Sequence, residues 1–390
     1  MGQEKAEAVL SHLLAKGYER IDPPVLAVAD TLFSLYGEEM WERAFFLEEG
    51  DAIWALRPDF TVSAAIEHLR AHPDAEQTKP GRFVYAGSVF RRHLGNDRDA
   101  DPRRAAEQYQ VGVEVFDEPS GPAEDAALFV ECAETVQLAG GGGSSVIIGD
   151  LNIIFSLLNA LDLPTTWRKR LSRHFWRPEK FMSLLARFSG DEQTPESRRR
   201  ISFLKAIGHV SPEDAAMAVE EIIALSDTPQ IGVRKAADIA ERFLSQAADA
   251  RRHPLPGEVA ASVQKLLGVS DHPRAALESL QSIVREGGLD IDDALSNFAS
   301  RLDALEAHGV ALDRLVFDAG FGRNLEYYDG FIFELRRDDG TKHAGGGRYD
   351  SLFAALLNDE PRRARSRTGV SRTGVGFVLH PDRIAAGDLK

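Results

Sequence analysis

A chain of 390 residues with 43% hydrophobic and 27% charged side chains can bury a sizeable core and has room for roughly two or three domains. Acidic residues outnumber basic ones by 61 to 46, and the net charge of −15 works against binding a phosphate backbone, because nucleic-acid affinity leans on Lys and Arg. Its single cysteine, Cys132, excludes an intrachain disulfide and argues against a thiolate metal cluster. With no basic-then-apolar start and no run of about 18 apolar residues, a cytoplasmic protein without membrane association is expected.

Ala6, Val9, Leu10, Leu13 and Leu14 recur at helical spacing, and Gly17 ends the pattern, which predicts a first helix. Residues 44–47, 52–56, 82–85 and 110–116 are short, rich in aromatic or β-branched side chains, and predict strands of an antiparallel sheet. A helix is predicted from 123 to 138. The glycine run from Gly140 to Gly143 lacks the Lys-Ser/Thr of a phosphate loop and enters a strand-like segment, 145–149, so it reads as a plain turn. From 152 to 312 the pattern is largely amphipathic helix, and strand signals resume at 315–317, 330–334 and 374–379. A sheet interrupted and then completed implies an α+β fold in which residues 1–151 and 313–390 form one discontinuous domain, an antiparallel sheet flanked by helices, around an all-helical insertion at 152–312.

Several segments carry polar groups in patterns suited to a ligand. In Leu56-Arg57-Pro58-Asp59-Phe60-Thr61 an acid and a hydroxyl lie two residues apart, where they could hold an ammonium group. The alternative is that Asp59 caps a helix running through Ala64, Ala65 and Leu69. Strand alternation puts Gln110, Gly112 and Glu114 on one face, so an amide and a carboxylate line the same surface. Near the C-terminus, Arg323 to Tyr328 ends in paired tyrosines, Tyr327 and Tyr328, which bring hydroxyls to a buried polar site. Three glycines, Gly345, Gly346 and Gly347, precede Arg348-Tyr349-Asp350 and allow a close backbone approach or a sharp bend.

Together these residues resemble histidyl-tRNA synthetase and its paralogues, over roughly residues 1–150 and 313–385. Residues 323–328 and 344–350 are similar to the two histidine-specific motifs of that family, residues 56–61 to its amino-acid loop, Phe90-Arg91 to the opening of motif 2, and 109–114 to the returning strand. The resemblance implies a class II aminoacyl-tRNA synthetase-like core. It assigns Asp59 and Thr61 to a histidine α-amino group with Gln110 and Glu114 close by, Arg323 to the carboxylate, and Tyr328 and Tyr349 to the imidazole, with Tyr327 in the same motif. Segment 18–26, with Pro23 and Pro24, stands where the family has motif 1, its dimer-forming element, so a homodimer is expected.

The departures fall in the ATP site. His93 replaces the motif 2 glutamate, Ala106 an arginine and Gln108 a phenylalanine, while His380, Pro381 and Asp382 interrupt motif 3. Arg91, Arg104 and Arg383 read as remnants of that site. Only seven residues follow Arg383, where a synthetase would carry an anticodon-binding domain. This combination resembles the regulatory subunit of short-form ATP phosphoribosyltransferase. What it implies is a non-catalytic subunit without cofactor, metal or tRNA, partnered by the catalytic subunit, with L-histidine as feedback effector. Two other readings stay open: a histidine-activating aminoacyl transferase acting without anticodon recognition, and a scaffold whose pocket is a relic.

Overall fold

The computed structural model describes residues 2–29, 32, 35, 42–50, 52–73, 79–92, 106–143, 145–175, 177–190, 202, 209–225, 236–249, 254–322, 327–357 and 372–385. The chain separates into two compact units, residues 1–160 with 265–390, and residues 161–264.

The strands of the first unit are β1 Glu19–Arg20, β2 Leu26–Val28, β3 Phe46–Glu49, β4 Ala52–Leu56, β5 Gly81–Phe90, β6 Glu107–Phe116, β7 Ser145–Asp150, β8 Ser270–Asp271, β9 Leu315–Asp318, β10 Phe331–Arg336, β11 Lys342–Arg348 and β12 Gly374–Leu379. Nine of them form one sheet in the order β1-β5-β6-β12-β11-β10-β7-β9-β8. Its centre, from β5 to β7, is antiparallel, while β1 beside β5 and β9 beside β7 run parallel to their neighbours. The sequence pattern placed 44–47 and 52–56 in this sheet, and the structure corrects that: β3 and β4 form a hairpin that joins β2 in a separate three-stranded sheet, β2-β4-β3. Gly50, at φ 60, supplies the left-handed turn that closes the hairpin on itself, so its strands pair with each other.

Register explains how one sheet serves both a core and a site. Directly opposed residues share a face, and Val84, Val113, Phe377, Gly346, Phe333, Ile148 and Phe317 lie opposite one another in turn across seven strands. The six with side chains are buried. This face is covered by the helices Pro122–Leu138 and Asp292–Ala307: Phe129 meets Phe333 edge-on with ring centroids 5.2 Å apart, and Phe298 lies 4.5 Å from Phe317. The helices Pro273–Gly287 and Asp292–Ala307, which the helical pattern groups with the insertion, therefore belong to the sheet-bearing unit.

Buried ion pairs fix this layer. Arg301 of the covering helix bonds Asp125 at 2.8 Å and also pairs with Asp150 at the end of β7, while Arg348 at the end of β11 reaches the other oxygen of Asp125 at 2.7 Å. In the second unit, Trp167 of the helix Thr165–His174 stacks on Phe188 of the helix Pro178–Phe188 at 4.2 Å, and the helices Pro212–Leu225 and Ala236–Asp249 pack through Ala215, Val219, Ala236 and Ala240.

Breaking a buried charge pair leaves an uncompensated ion, which typically destabilises by about 3–5 kcal/mol. Arg301→Met should therefore lower the unfolding free energy in urea by about that amount; a loss below about 1 kcal/mol would show that the pairs are dispensable.

Candidate functional site

The opposite face of the sheet is built differently. Across it Phe83, Glu114, Gly376, Gly347, Ile332 and Gly149 stand opposite one another, and the next row contains Tyr85, Gly112, Val378, Gly345 and Glu334. Glycines fill five of these eleven positions, so the floor is bare backbone in part. At Gly376 a Cβ would strike the Glu114 carboxylate and come within 2.9 Å of the Tyr349 hydroxyl, so the missing side chain is a condition of the arrangement. The three glycines of β11 thus continue straight through the sheet centre, where a bend was one expectation from sequence.

The floor carries a buried carboxylate. Glu114 accepts a hydrogen bond from Thr61 Oγ1 at 2.7 Å and a second from the Tyr349 hydroxyl, with the Tyr85 hydroxyl also on it. Burial is the main reason its proton affinity is pushed up to about 8, partly offset by the bonds from Tyr349 and Thr61. Burial first, then the neighbouring Glu114 charge, raises the Tyr349 phenol well above its ordinary range. Tyr349 is held by its neighbours in the chain: Arg348 bonds Asp125, and Asp350 accepts the Gly374 N–H at 2.8 Å.

Asp59, 5% exposed, is the second buried carboxylate of the site and raises the proton affinity of Glu114 further. It is not a helix cap. The following helix, Thr61–Ala71, has Phe60 at its N-cap with no side-chain cap bond, and the Asp59 carboxylate instead accepts from the Tyr327 hydroxyl at 3.3 Å. That helix is anchored one turn before its end by His68 Nε2 on Asp117 at 2.7 Å, which keeps Thr61 over the floor. Tyr327, Tyr328 and Tyr349 form an aromatic cluster with ring centroids 4.8 to 5.9 Å apart. Gln110 is buried on the Glu114 face, paired in register with Gly87.

Of the residues singled out in the sequence, Asp59, Thr61, Gln110, Glu114, Tyr327, Tyr328 and Tyr349 are thus all buried on or beside this face. Arg323, Arg104 and His93 lie outside the described residues. Two participants were not anticipated: Tyr85, whose hydroxyl reaches Glu114, and Arg57, which packs its guanidinium on the Phe60 ring at 3.9 Å. The signal for Tyr85 was its place opposite Gly112, whose missing side chain leaves room for the phenol.

Arg383 and Arg91, two of the three arginines that the resemblance assigns to the ATP site, are engaged by the chain itself. Arg383 donates to Gln108 Oε1 at 3.0 Å and to the Lys342 carbonyl at 3.1 Å, and Arg91 Nε donates to the Pro58 carbonyl at 2.8 Å. Among the described residues, no group of His, Cys, Asp or Glu is placed to hold a metal, and no helix is long and apolar enough to cross a membrane.

Two buried acids, four phenols and an amide on a glycine-rich floor suit a small ligand with an ammonium group and a hydrogen-bonding ring. Comparison with known proteins gives that arrangement its family. The sequence profile described as Histidyl-tRNA synthetase matches residues 3–247 and 236–383. A protein of Chelativorans sp. (strain BNC1) named ATP phosphoribosyltransferase regulatory subunit is 32% identical over 369 residues, 93% of this chain and 92% of that one. The chain belongs to this family of regulatory subunits, built on the histidyl-tRNA synthetase-like fold. A similarly named protein of Brucella anthropi is 30% identical over 372 residues, 94% of this chain and 92% of that one. The crystal structure of an ATP phosphoribosyltransferase regulatory subunit/histidyl-tRNA synthetase from Bacillus halodurans C matches with a TM-score of 0.63 at 18% identity, covering 99% of this chain and 78% of that one. Histidyl-tRNA synthetase from Nostoc sp. PCC 7120 matches with a TM-score of 0.58 at 15% identity, covering 100% and 71%. At those identities the two structures establish the class II synthetase-like fold.

A regulatory subunit with Glu114 buried in this way should carry its titration as a stability signature. Glu114 keeps its proton to about pH 8 when folded and loses it near its ordinary value of 4.5 when unfolded. The stabilisation by the neutral acid is therefore complete below the unfolded value and is lost as pH rises through the folded one. Glu114→Gln lacks this titration, so its Tm should gain on that of the wild type between about pH 5 and pH 8. A constant difference across that window would show that Glu114 is ionised in the folded protein.

Proposed function

We propose that this chain is the histidine sensor of a short-form ATP phosphoribosyltransferase, a subunit that supports the first step of histidine biosynthesis and transmits feedback inhibition without catalysis of its own. The observation that carries this reading is the buried Glu114 carboxylate ringed by the Tyr349, Thr61 and Tyr85 hydroxyls, with Asp59 beside it. An imidazole has two distinct ring nitrogens, and a carboxylate fixed by phenols can select for that pattern. Asp59 offers the charge for the α-ammonium group, and the resemblance gives Arg323 to the carboxylate. The relatives' name supports the partnership with the catalytic subunit.

Adenylation of histidine is not expected, because Arg383 and Arg91 already bond Gln108, Lys342 and Pro58. Removing one charge-stabilising donor from an active site can lower rate by about 10²–10³. Histidine-dependent pyrophosphate exchange should accordingly be absent; exchange within tenfold of a synthetase would make this an aminoacyl transferase.

Pairing of two copies fits the small sheet. Register puts Leu26 opposite Leu56, and Val28 and Leu47 opposite Trp54, so these five share a face, on which Leu26, Val28 and Leu47 are 43%, 49% and 48% exposed. An apolar face is self-complementary across a two-fold axis, which suits a chain whose net charge of −15 would otherwise keep copies apart. The face adjoins the segment that the resemblance assigns to dimer formation.

The pocket reading is tested in a complex reconstituted with a short-form catalytic subunit. Asp59→Ala and Arg323→Ala should each weaken histidine binding by at least about thirtyfold, since each leaves a charged ligand group without its partner, while phosphoribosyl transfer persists and resists histidine. A histidine inhibition curve matching wild type in a folded, bound Arg323→Ala complex would mean the inhibitor acts elsewhere.

A further inference from the structure

Arg57 joins the exposed face of the small sheet to the floor of the pocket. It is 4% exposed, and its guanidinium bonds two backbone carbonyls from separate elements: Nη1–H donates to Pro23, just ahead of β2, at 2.6 Å, and Nε–H donates to Ser88 of β5 at 2.9 Å. Its backbone adds two more ties, donating to the Val25 carbonyl at 2.8 Å and accepting from Phe90 N–H at 3.0 Å. The same guanidinium lies 3.9 Å from the centre of the Phe60 ring, and Phe60 stacks on Tyr85 at 4.2 Å with the planes 11° apart. Tyr85 places its hydroxyl on Glu114. A chain of direct contacts therefore runs from residues 23–25, at the edge of the apolar face, through Arg57, Phe60 and Tyr85 to the buried carboxylate.

Three features make this chain responsive to displacement. The cation is buried with the Asp22 charge nearby, and its hydrogen bonds go to carbonyls whose alignment with N–H is short-ranged, so a shift of the 23–25 segment breaks them. The fit is tight, since a Cβ at Gly87 would come within 2.9 Å of Arg57 Nη2 and 3.0 Å of the Phe60 ring. Finally, Asp59 and Thr61 lie two and four residues after Arg57, so the residue that holds Pro23 also sets the start of the segment that leads to both.

We propose that Arg57 is a positioning residue that couples occupancy of the amino-acid pocket to the pairing of two copies through the Leu26–Val28 face. This rests on the reading of the pocket given above. Ligand on Glu114 holds Tyr85, Phe60 and Arg57 in one arrangement, and a second copy on the apolar face holds the 23–25 segment in the arrangement that Arg57 requires. Each event then favours the other by the same factor, as linkage demands of two sites on one equilibrium.

The test is the dimer dissociation constant, measured by fluorescence-detected sedimentation with and without saturating L-histidine, alongside calorimetry of histidine binding. In the wild type histidine should tighten the dimer about fivefold or more. Arg57→Met should bring that ratio near one while both dimer and histidine binding stay measurable. Arg57→Lys keeps the charge but lacks the fork that spans the two carbonyls, so its ratio should fall between, and it carries the test if Arg57→Met does not fold. Val28→Glu should abolish pairing, which places it on this face. A residue that merely supports the fold would change both dissociation constants and leave their ratio intact. Histidine bound with no change in the wild-type dimer overturns the coupling and leaves the pocket reading standing. A ratio that survives in folded Arg57→Met removes Arg57 from it. Absence of histidine binding removes the pocket reading and the coupling together.

Discussion

The arrangement depends on a run of charges in which buried Asp150, Arg301, Asp125 and Arg348 and half-buried Asp350 alternate in sign, each in contact with the next. The links join the end of β7, the helix Asp292–Ala307, the helix Pro122–Leu138 and the end of β11. Desolvating the four buried groups is expensive, and neighbours of opposite sign compensate only if the geometry holds. Raised proton affinity from burial at Asp150, opposed by the Arg301 charge, expresses that competition directly. Because Tyr349 sits between Arg348 and Asp350, the ion chain also aims its hydroxyl at Glu114. A structural network on one side of the sheet thereby fixes a buried hydroxyl on the other.

That division between faces follows from the pleat. On β12, Phe377 points into the aromatic layer against the helices, while Gly374 and Gly376, which precede it, leave room for Tyr349 on the other face. Glycine weakens a strand in isolation, yet here the strand is central, paired on both sides and backed by a dense apolar layer. Asp329 shows the same tension at the rim: burial and the nearby Asp350 push its carboxyl up to about 7, and it is kept in place by the N–H groups of Asp350 and Ser351. Those bonds tie the Tyr327-Tyr328 segment to the start of the helix Ser351–Leu356.

Local patterns in the sequence carried the site surprisingly far and its supports hardly at all. Alternation alone puts Gln110, Gly112 and Glu114 on one face, because the period of a strand is fixed by its backbone. Asp59 was ambiguous between cap and ligand group, since both uses place an acid just ahead of a helix, and the partner it takes, Tyr327, lies far away in sequence. The partners in the ion chain are equally remote: Asp125 meets Arg301 and Arg348, and no spacing rule connects them. Periodicity likewise could not separate a helix of the insertion from one that backs the sheet, because Asp292–Ala307 is amphipathic either way and its destination depends on Phe317 and Asp125.

The fate of Arg383 joins these threads. A cation positioned for a bound phosphate needs another acceptor when that ligand is no longer used, because a partly buried guanidinium without hydrogen bonds is destabilising. Gln108 and the Lys342 carbonyl meet that need, and Gln108 stands where the synthetase-like pattern has a phenylalanine, which could accept no such bond in the ring plane. The substitution and the retained arginine are therefore a single solution. It lashes the helix Pro381–Ala385 to β6 and β11, the two strands that carry Glu114 and the residues leading to Tyr349. These bonds brace the two strands that flank β12, where Glu114 and Tyr349 meet.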